Sequence, residues 1–280
     1  MRTTGLCPSG DVVLHYRHFG AAGELPLVIV HGLSYFSWDW IEVAEALAGD
    51  ANDAGGRREI AAMDMRGFGD SSCSPSQDYA VPAMARDIVA LADLLGWPRF
   101  AILGHSMGGR NSLWCAAEFP TRVAGLVLGD YTPENAPAGS QRVARTVAAT
   151  PDLFGSIDEA MQYHNAGPDQ RPRFEAWLQR VAGGYRVKRD TYFRDQFRRA
   201  LQSGQRAPLG VDLWGAVTRL KCPLKVIRGS RSDFFGEDSI AKYRARNCNA
   251  LVVEIDAGHD IAVDNAEAVI RETRAFLESL

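Results

Sequence analysis

"LGHSMGGR", residues 103–110, sets one serine among glycines directly after the apolar run "FAIL". Gly104-His105-Ser106-Met107-Gly108 fits Gly-x-Ser-x-Gly, with a strand-like run before it and a helical pattern after it. In a strand-to-helix turn of this kind the serine backbone is strained and its hydroxyl stands clear of the sheet. Bulky side chains two positions to either side would strike neighbouring backbone, so the glycines have a mechanical reason. The helix N-terminus favours negative charge beside the serine. Ser106 is therefore the candidate nucleophile, and the competing reading is a glycine-rich structural turn.

The chain around this turn alternates two patterns. "VVLHYRHFG" (12–20) alternates apolar and polar residues, and the turn signal "PSGD" precedes it, which predicts an N-terminal hairpin. Short apolar runs follow at 26–30, 60–64, 100–104, 123–130, 223–229 and 250–256. They read as strands buried on both faces. Segments 41–49, 81–96, 112–120 and 266–280 carry apolar residues at helical spacing. Strands alternating with helices predict an α/β fold: a mostly parallel sheet with helices on both faces. Residues 133–217 break the alternation. They hold helix-like segments such as "RFEAWLQRVAGG" and "DTYFRDQFRRALQSG" and no convincing buried strand, which predicts a helical cap inserted into a core of 1–132 and 218–280.

Bulk properties bound the rest. At 280 residues, 46% hydrophobic and 23% charged, the chain fits one globular domain carrying an insertion. A formal charge of −3 provides no global field for nucleic acid or a membrane surface. Five scattered cysteines, an odd number without Cys-x-x-Cys spacing, read as free thiols. With no signal-like N-terminus and no apolar run of spanning length, the expected location is cytoplasmic. "DMRGFGDS" (64–71) lacks the spacing of a phosphate-binding loop.

Four stretches, "HGLSYFSWDW", "MDMRGFGDSS", "GHSMGG" and "AGHD", occur in the order and spacing of the α/β-hydrolase superfamily. The chain resembles that superfamily over nearly its whole length, least in the cap. The resemblance implies a serine hydrolase. His259, in the Gly-His-Asp loop before the last helix, takes the place of the general base, and His105 a structural place beside the serine. The His31-Gly32-Leu33 turn resembles the oxyanion loop, with the backbone N–H groups of Leu33 and Met107 as donors. Asp64 and Arg66 fall in a segment that the superfamily uses structurally.

The acid is less settled. Many relatives carry it as Gly-x-x-Asp after the strand that follows the cap; counted from Gly229, that position here holds Ser232, and Asp233 comes one residue late. Some branches, including cofactor-independent hydrolases similar to the 2-(acetamidomethylene)succinate hydrolases, place it at the end of the strand before the cap, where this chain has Asp130. Asp130 is favoured and Asp233 is the alternative. A plain reading also exists for each, as a turn carboxylate before Pro133 and as the N-cap of a helix near 236–246.

The cap is rich in cations: Arg171, Arg173, Arg180, Arg186, Lys188, Arg189, Arg194, Arg198 and Arg199. The plain reading is a solvated helix face. The sharper one is that one or two guanidiniums clamp a substrate carboxylate. Tyr35, Trp38, Tyr131 and His164 are the candidate substrate-binding residues. The expected reaction is hydrolysis of an ester, lactone, thioester or amide of a small, anionic organic substrate through an acyl-enzyme, with no metal and no cofactor. A carbon–carbon bond hydrolase or a perhydrolase would use the same residues. A ligand receptor or interaction module on a hydrolase fold is the reading from another class, against which the intact serine and histidine speak. The sequence carries no signal for oligomeric state.

Overall fold

A computed structural model describes residues 2–49, 57–205 and 207–280. Its central feature is an eight-stranded sheet in the order β1-β2-β4-β3-β5-β6-β9-β10. The strands are β1 (Arg2–Ser9), β2 (Val12–Phe19), β3 (Glu24–Val30), β4 (Arg58–Met63), β5 (Phe100–His105), β6 (Val123–Gly129), β9 (Leu224–Gly229) and β10 (Leu251–Ile255). The six strands from β4 to β10 pair parallel. β1 and β2 form the expected antiparallel hairpin, which joins the sheet through β4. Every residue of β5 and β6 is buried, as strands covered on both faces must be, whereas β1 shows solvent-facing positions along its length.

Helices cover both faces. Those of the core are α1 (Ile41–Ala48), α2 (Val81–Leu94), α3 (Met107–Glu118), α8 (Leu213–Arg219), α9 (Glu237–Arg246), α10 (Ile261–Asp264) and α11 (Ala266–Leu277). Met84 and Leu91 of α2, Leu113 of α3, Val217 of α8 and Tyr243 of α9 pack on one side with Val28, Ile102 and Leu126. Val43 and Leu47 of α1 and Val269 and Phe276 of α11 pack on the other with Ile29, Leu103 and Val127. The alternate residues of one strand thus feed two separate cores.

Between β6 and α8 lies an excursion, with α4 (Pro137–Ala149), α5 (Ile157–Tyr163), α6 (Arg171–Trp177), β7 (Leu178–Val181), β8 (Gly184–Val187) and α7 (Thr191–Ser203). Two features differ from the sequence expectation. The stretch read as one helix, "RFEAWLQRVAGG", stops at Trp177 and turns into the β7–β8 hairpin, whose two-residue turn, Ala182-Gly183, holds Gly183 at φ 85° and is followed by Gly184, the first residue of β8, at φ 151°. And α8, assigned by sequence mostly to the cap, packs into the core beside α3. The excursion has small cores of its own. Phe154, Met161, Phe174, Trp177 and Val187 enclose Phe36 of the main domain, and Val147 of α4 meets Phe197 of α7.

Candidate active site

Ser106 sits at the N-cap of α3 with φ 53° and ψ −117°, a conformation that costs a residue with a side chain about 1–3 kcal/mol. The surroundings hold it there. Its N–H donates to the Gly129 carbonyl at 3.0 Å, and its own carbonyl accepts from Arg110 N–H at 3.0 Å. A Cβ on Gly108 would run into the carbonyl oxygens of Val30 and His31, and one on Gly104 would meet Ser112 Oγ. The turn is as tight as the glycine spacing implied.

His259 lies in the loop between β10 and α10. Its Nε2 is 2.9 Å from Ser106 Oγ and its Nδ1 is 2.7 Å from Asp130 Oδ2. This arrangement calls for the tautomer with Nδ1–H donating to the carboxylate and Nε2 accepting from the serine hydroxyl. Gly229 permits the approach, because a Cβ there would strike the Gly258 carbonyl. His105 Nε2 donates to the His259 carbonyl at 2.8 Å and so fixes the loop's backbone. Burial, assisted by the neighbouring His259, pulls His105 down to about 4, so it is neutral at physiological pH.

Asp130 follows β6 with φ 42° and is fully buried as a side chain. Besides the imidazole it accepts from Gly229 N–H at 2.9 Å on Oδ1 and from Ser232 Oγ at 2.5 Å on Oδ2. Ser232 thus stands where the commoner pattern has an acid, and it donates to Asp130. Asp233 has turned away: both of its oxygens take Arg142 of α4, at 2.8 Å each, at the partly exposed edge of the cap. Nor is it the N-cap of α9, which is Gly236.

The His31-Gly32-Leu33 turn is braced from beneath. His31 Nδ1 donates to Gly32 O at 2.7 Å, and its Nε2 accepts from Met65 N–H at 3.0 Å. Complete burial lowers the pKa of this ring, consistent with the neutral form that this bonding requires. Among the described residues, the N–H groups of Leu33 and Met107 have no backbone acceptor, and both residues face the space over Ser106. The rest of segment 64–71 is structural. Asp64 accepts from His15 Nδ1 and from the N–H groups of Ser37 and Asp70, and Arg66 makes a bidentate pair with buried Asp87 at 2.7 Å. His15, Asp64 and Asp70 have metal-like spacing, but the central carboxylate is committed to these donors.

A cavity of about 980 Å³ opens over Ser106, between the core and helices α4 and α7. Tyr131 lines it. Tyr35, Trp38 and His164, the other expected substrate contacts, are not among its lining residues. Tyr35 meets His105 edge-on and shares a hydrogen bond with Asp260, Trp38 stacks on Phe36, and His164 lies among Phe154, Phe174 and Trp177 of the cap. Of the cap arginines among the described residues, only Arg199 reaches the cavity wall. Arg173 instead ties α6 to the loop after the His31 turn, through buried Asp39 at 2.6 Å and the Ser34 carbonyl at 3.2 Å. Arg171 pairs with Asp158, and Arg194 with Asp152. The second arginine of the wall is Arg110, from α3. Nothing in the cap pattern points to it, but it stands one helical turn after Ser106 and hence on the same face. Gln196 and Tyr192 of α7 and Phe234 of the loop after β9 complete much of the lining.

A family model described as the alpha/beta hydrolase fold matches residues 26–266. The chain is 27% identical over 286 aligned positions to the 3-hydroxybutyrate-oligomer hydrolase of Cupriavidus necator, covering 95% of this chain and 93% of that one. It is 29% identical to the 2-(acetamidomethylene)succinate hydrolase of Mesorhizobium japonicum over 277 positions, 96% and 93% of the two chains. A crystal structure of E-2-(acetamidomethylene)succinate hydrolase superposes with a TM-score of 0.83 at 26% identity, covering 99% of this chain and all of that one.

Proposed function

Since this chain belongs to the α/β-hydrolase fold family and is a hydrolase, we propose that it works as a serine hydrolase on a small, anionic carboxylic ester, lactone, thioester or amide. One observation carries the reading: Asp130, His259 and Ser106 form an unbroken hydrogen-bonded line, 2.7 Å and then 2.9 Å, that ends beneath the cavity.

The chemistry follows from that line. His259 Nε2 takes the hydroxyl proton as Ser106 Oγ attacks the acyl carbon. The imidazolium so formed keeps its Nδ1–H on Asp130, whose charge stabilises it. The oxygen of the tetrahedral intermediate becomes an anion between the N–H groups of Leu33 and Met107, and loss of one such donor costs about 10²–10³ in rate. His259 then returns the proton to the leaving group. Water, deprotonated by the same imidazole, releases the acid from Ser106.

Two features support an anionic substrate. Arg110 and Arg199 stand in the cavity wall among the described residues, and Gln77, Asn135 and Gln196 add neutral polar groups. The two relatives named above act, by their names, on a succinate derivative and on oligomers of a hydroxy acid. The test compares wild type with Ser106→Ala on a p-nitrophenyl ester, and a carboxylate-bearing ester with its methyl-ester analogue. Ser106→Ala is expected to be inactive with an unchanged melting temperature. Wild type is expected to prefer the acid, with KM rising in salt as the arginines are screened. Near-normal turnover by Ser106→Ala would refute the mechanism, and equal rates on the two analogues would refute the anionic substrate.

A further inference from the structure

The imidazole of His259 has a partner that the hydrogen-bonded line does not use. The Phe234 ring lies parallel to it, with centroids 4.0 Å apart and planes inclined by 15°. Phe234 is itself pinned on several sides. Its N–H donates to Ser232 Oγ at 3.1 Å, the hydroxyl that donates to Asp130. Its carbonyl accepts from Ala136 N–H at 2.8 Å, and the preceding carbonyl, of Asp233, accepts from Gly139 N–H at 3.0 Å. Both donors belong to the start of α4. The helix crosses so closely that a Cβ on Gly139 would strike the Phe234 ring. The guanidinium of Arg142, one turn further along α4 and paired with Asp233, sits 5.8 Å from the ring centroid.

A histidine needs such a partner. Its χ2 torsion is broad and has no sharp staggered wells, so the ring plane is set by what surrounds it. Two hydrogen bonds hold opposite edges of the His259 ring, but the Ser106 bond must break and re-form in every turnover. A flat ring stacked on one face resists rotation throughout. The ion pair of Arg142 and Asp233 is partly exposed and weak by itself, so the backbone bonds from Ala136 and Gly139 carry most of the latch.

We propose that Phe234, clamped by cap helix α4, is a positioning residue that holds the His259 imidazole in line between Asp130 and Ser106, so that seating of the cap sets the base. The proposal rests on the reading of His259 as general base. Phe234 also faces the cavity, so the experiment must separate positioning from a simple wall.

Phe234→Leu keeps an apolar wall and removes the stack. It is expected to lower kcat about tenfold, modest beside the roughly 10²-fold that misplacement of reacting groups can cost. The factor should be the same for acetyl and longer p-nitrophenyl esters, with KM within about twofold, and a small organophosphate should inactivate the variant more slowly by that factor. Phe234→Tyr, which keeps a flat ring, should stay within about threefold of wild type. Arg142→Gln should cost about two- to threefold in wild type and nothing more in Phe234→Leu, since a residue acting through another is not additive with it. The low-field Nδ1 proton resonance of His259 should broaden in Phe234→Leu and persist in Phe234→Tyr. A loss confined to KM or to long acyl chains, or full additivity of the two variants, would make Phe234 a wall and overturn the proposal. Ser106→Ala and His259→Ala in the same assay tell the two failures apart. If either retains turnover, the reading of the site falls and the proposal with it; if both are dead while Phe234→Leu is unimpaired, only the proposal falls.

Discussion

Asp130 receives hydrogen bonds from His259, Ser232 and Gly229, and that set of donors determines what asparagine does in its place. An amide at 130 would turn its NH₂ toward His259 Nδ1 or Ser232, and an imidazole accepting at Nδ1 carries its proton on Nε2, where it cannot accept from Ser106. Asp130→Asn is therefore expected to lower kcat by about 10⁴, or some tenfold less, with little loss of melting temperature. Asp233→Asn breaks only a partly exposed pair with Arg142 and should stay within about threefold. Ser232 gives a sharper test. Its Oγ lies 2.5 Å from the Asp130 oxygen that holds the imidazole, so Asp130→Asn combined with Ser232→Asp places a carboxylate where the commoner pattern has one. The double variant should recover at least about tenfold over Asp130→Asn, since an acid partner restores the productive tautomer; no recovery would mean that geometry at 232 cannot serve His259. Sequence alone narrowed the acid to Asp130 and Asp233. It had no means of seeing that Ser232 donates to the first, because that contact joins two strand ends 102 positions apart.

At the scale of elements, the strand-turn-helix around Ser106 was legible because its signals are local: a buried run, glycines at fixed offsets and a helix. Gly108→Ala should show how tight it is. The added methyl meets backbone oxygens of Val30 and His31, which cannot swing aside as a flexible side chain would. Overpacking of this kind costs about 1–3 kcal/mol, so a lower melting temperature is expected together with a loss of activity larger than stability explains. The β7–β8 hairpin was not legible. Its strands have four residues each and are only partly buried, and "WLQRV" carries apolar residues at spacings that a helix also allows. What decides for a hairpin is the Ala182-Gly183 turn, with positive φ at Gly183 and at Gly184 beyond it, and the pairing of Phe154 with Tyr185, a contact distant in sequence. Arg173 belongs to the same scale. Placed by sequence among possible substrate clamps, it is a strut between α6 and the loop from Ser34 to Asp39. Arg173→Met strands the buried Asp39 carboxylate and should destabilise the fold by about 3–5 kcal/mol, read as a clear drop in melting temperature. An unchanged melting temperature would deny the strut.

Over the whole molecule, the parallel sheet brings the ends of β5 and β6 and the loops after β3, β9 and β10 to one edge, where residues far apart in sequence converge. Sequence pattern revealed this architecture through the alternation of buried runs and helices, and the family match agrees. It did not reveal which cap residues face inward, since α7 presents Gln196 and Arg199 to the cavity while Arg194 and Arg198 make contacts elsewhere. The fold also carries a pH liability. Burial lowers His105 and His164 from an ordinary 6.5 to about 4, in His164 with help from Arg173 and Arg189. The unfolded chain binds those protons near the ordinary value, and the folded chain only as pH approaches about 4. The contribution to stability is complete above about pH 6.5 and is lost as pH falls toward about 4. Melting temperature should therefore decline over that window. His164→Phe, which removes one titrating ring and a buried nitrogen with no hydrogen-bond partner among the described residues, should flatten the decline. Parallel curves for variant and wild type would remove His164 from the account.

In the proposed mechanism, turnover passes through an acyl group on Ser106. Rapid acid quench of the enzyme reacting with a p-nitrophenyl ester, followed by intact-mass and peptide mass spectrometry, tests it directly. The expected result is a mass increase equal to the acyl group, located on the peptide containing Ser106 and absent from Ser106→Ala. It should accumulate further in Asp130→Asn if release of the acid is slowed more than its transfer to the enzyme. Steady turnover with Ser106 unmodified, or an adduct on another residue that survives Ser106→Ala together with activity, would contradict the mechanism.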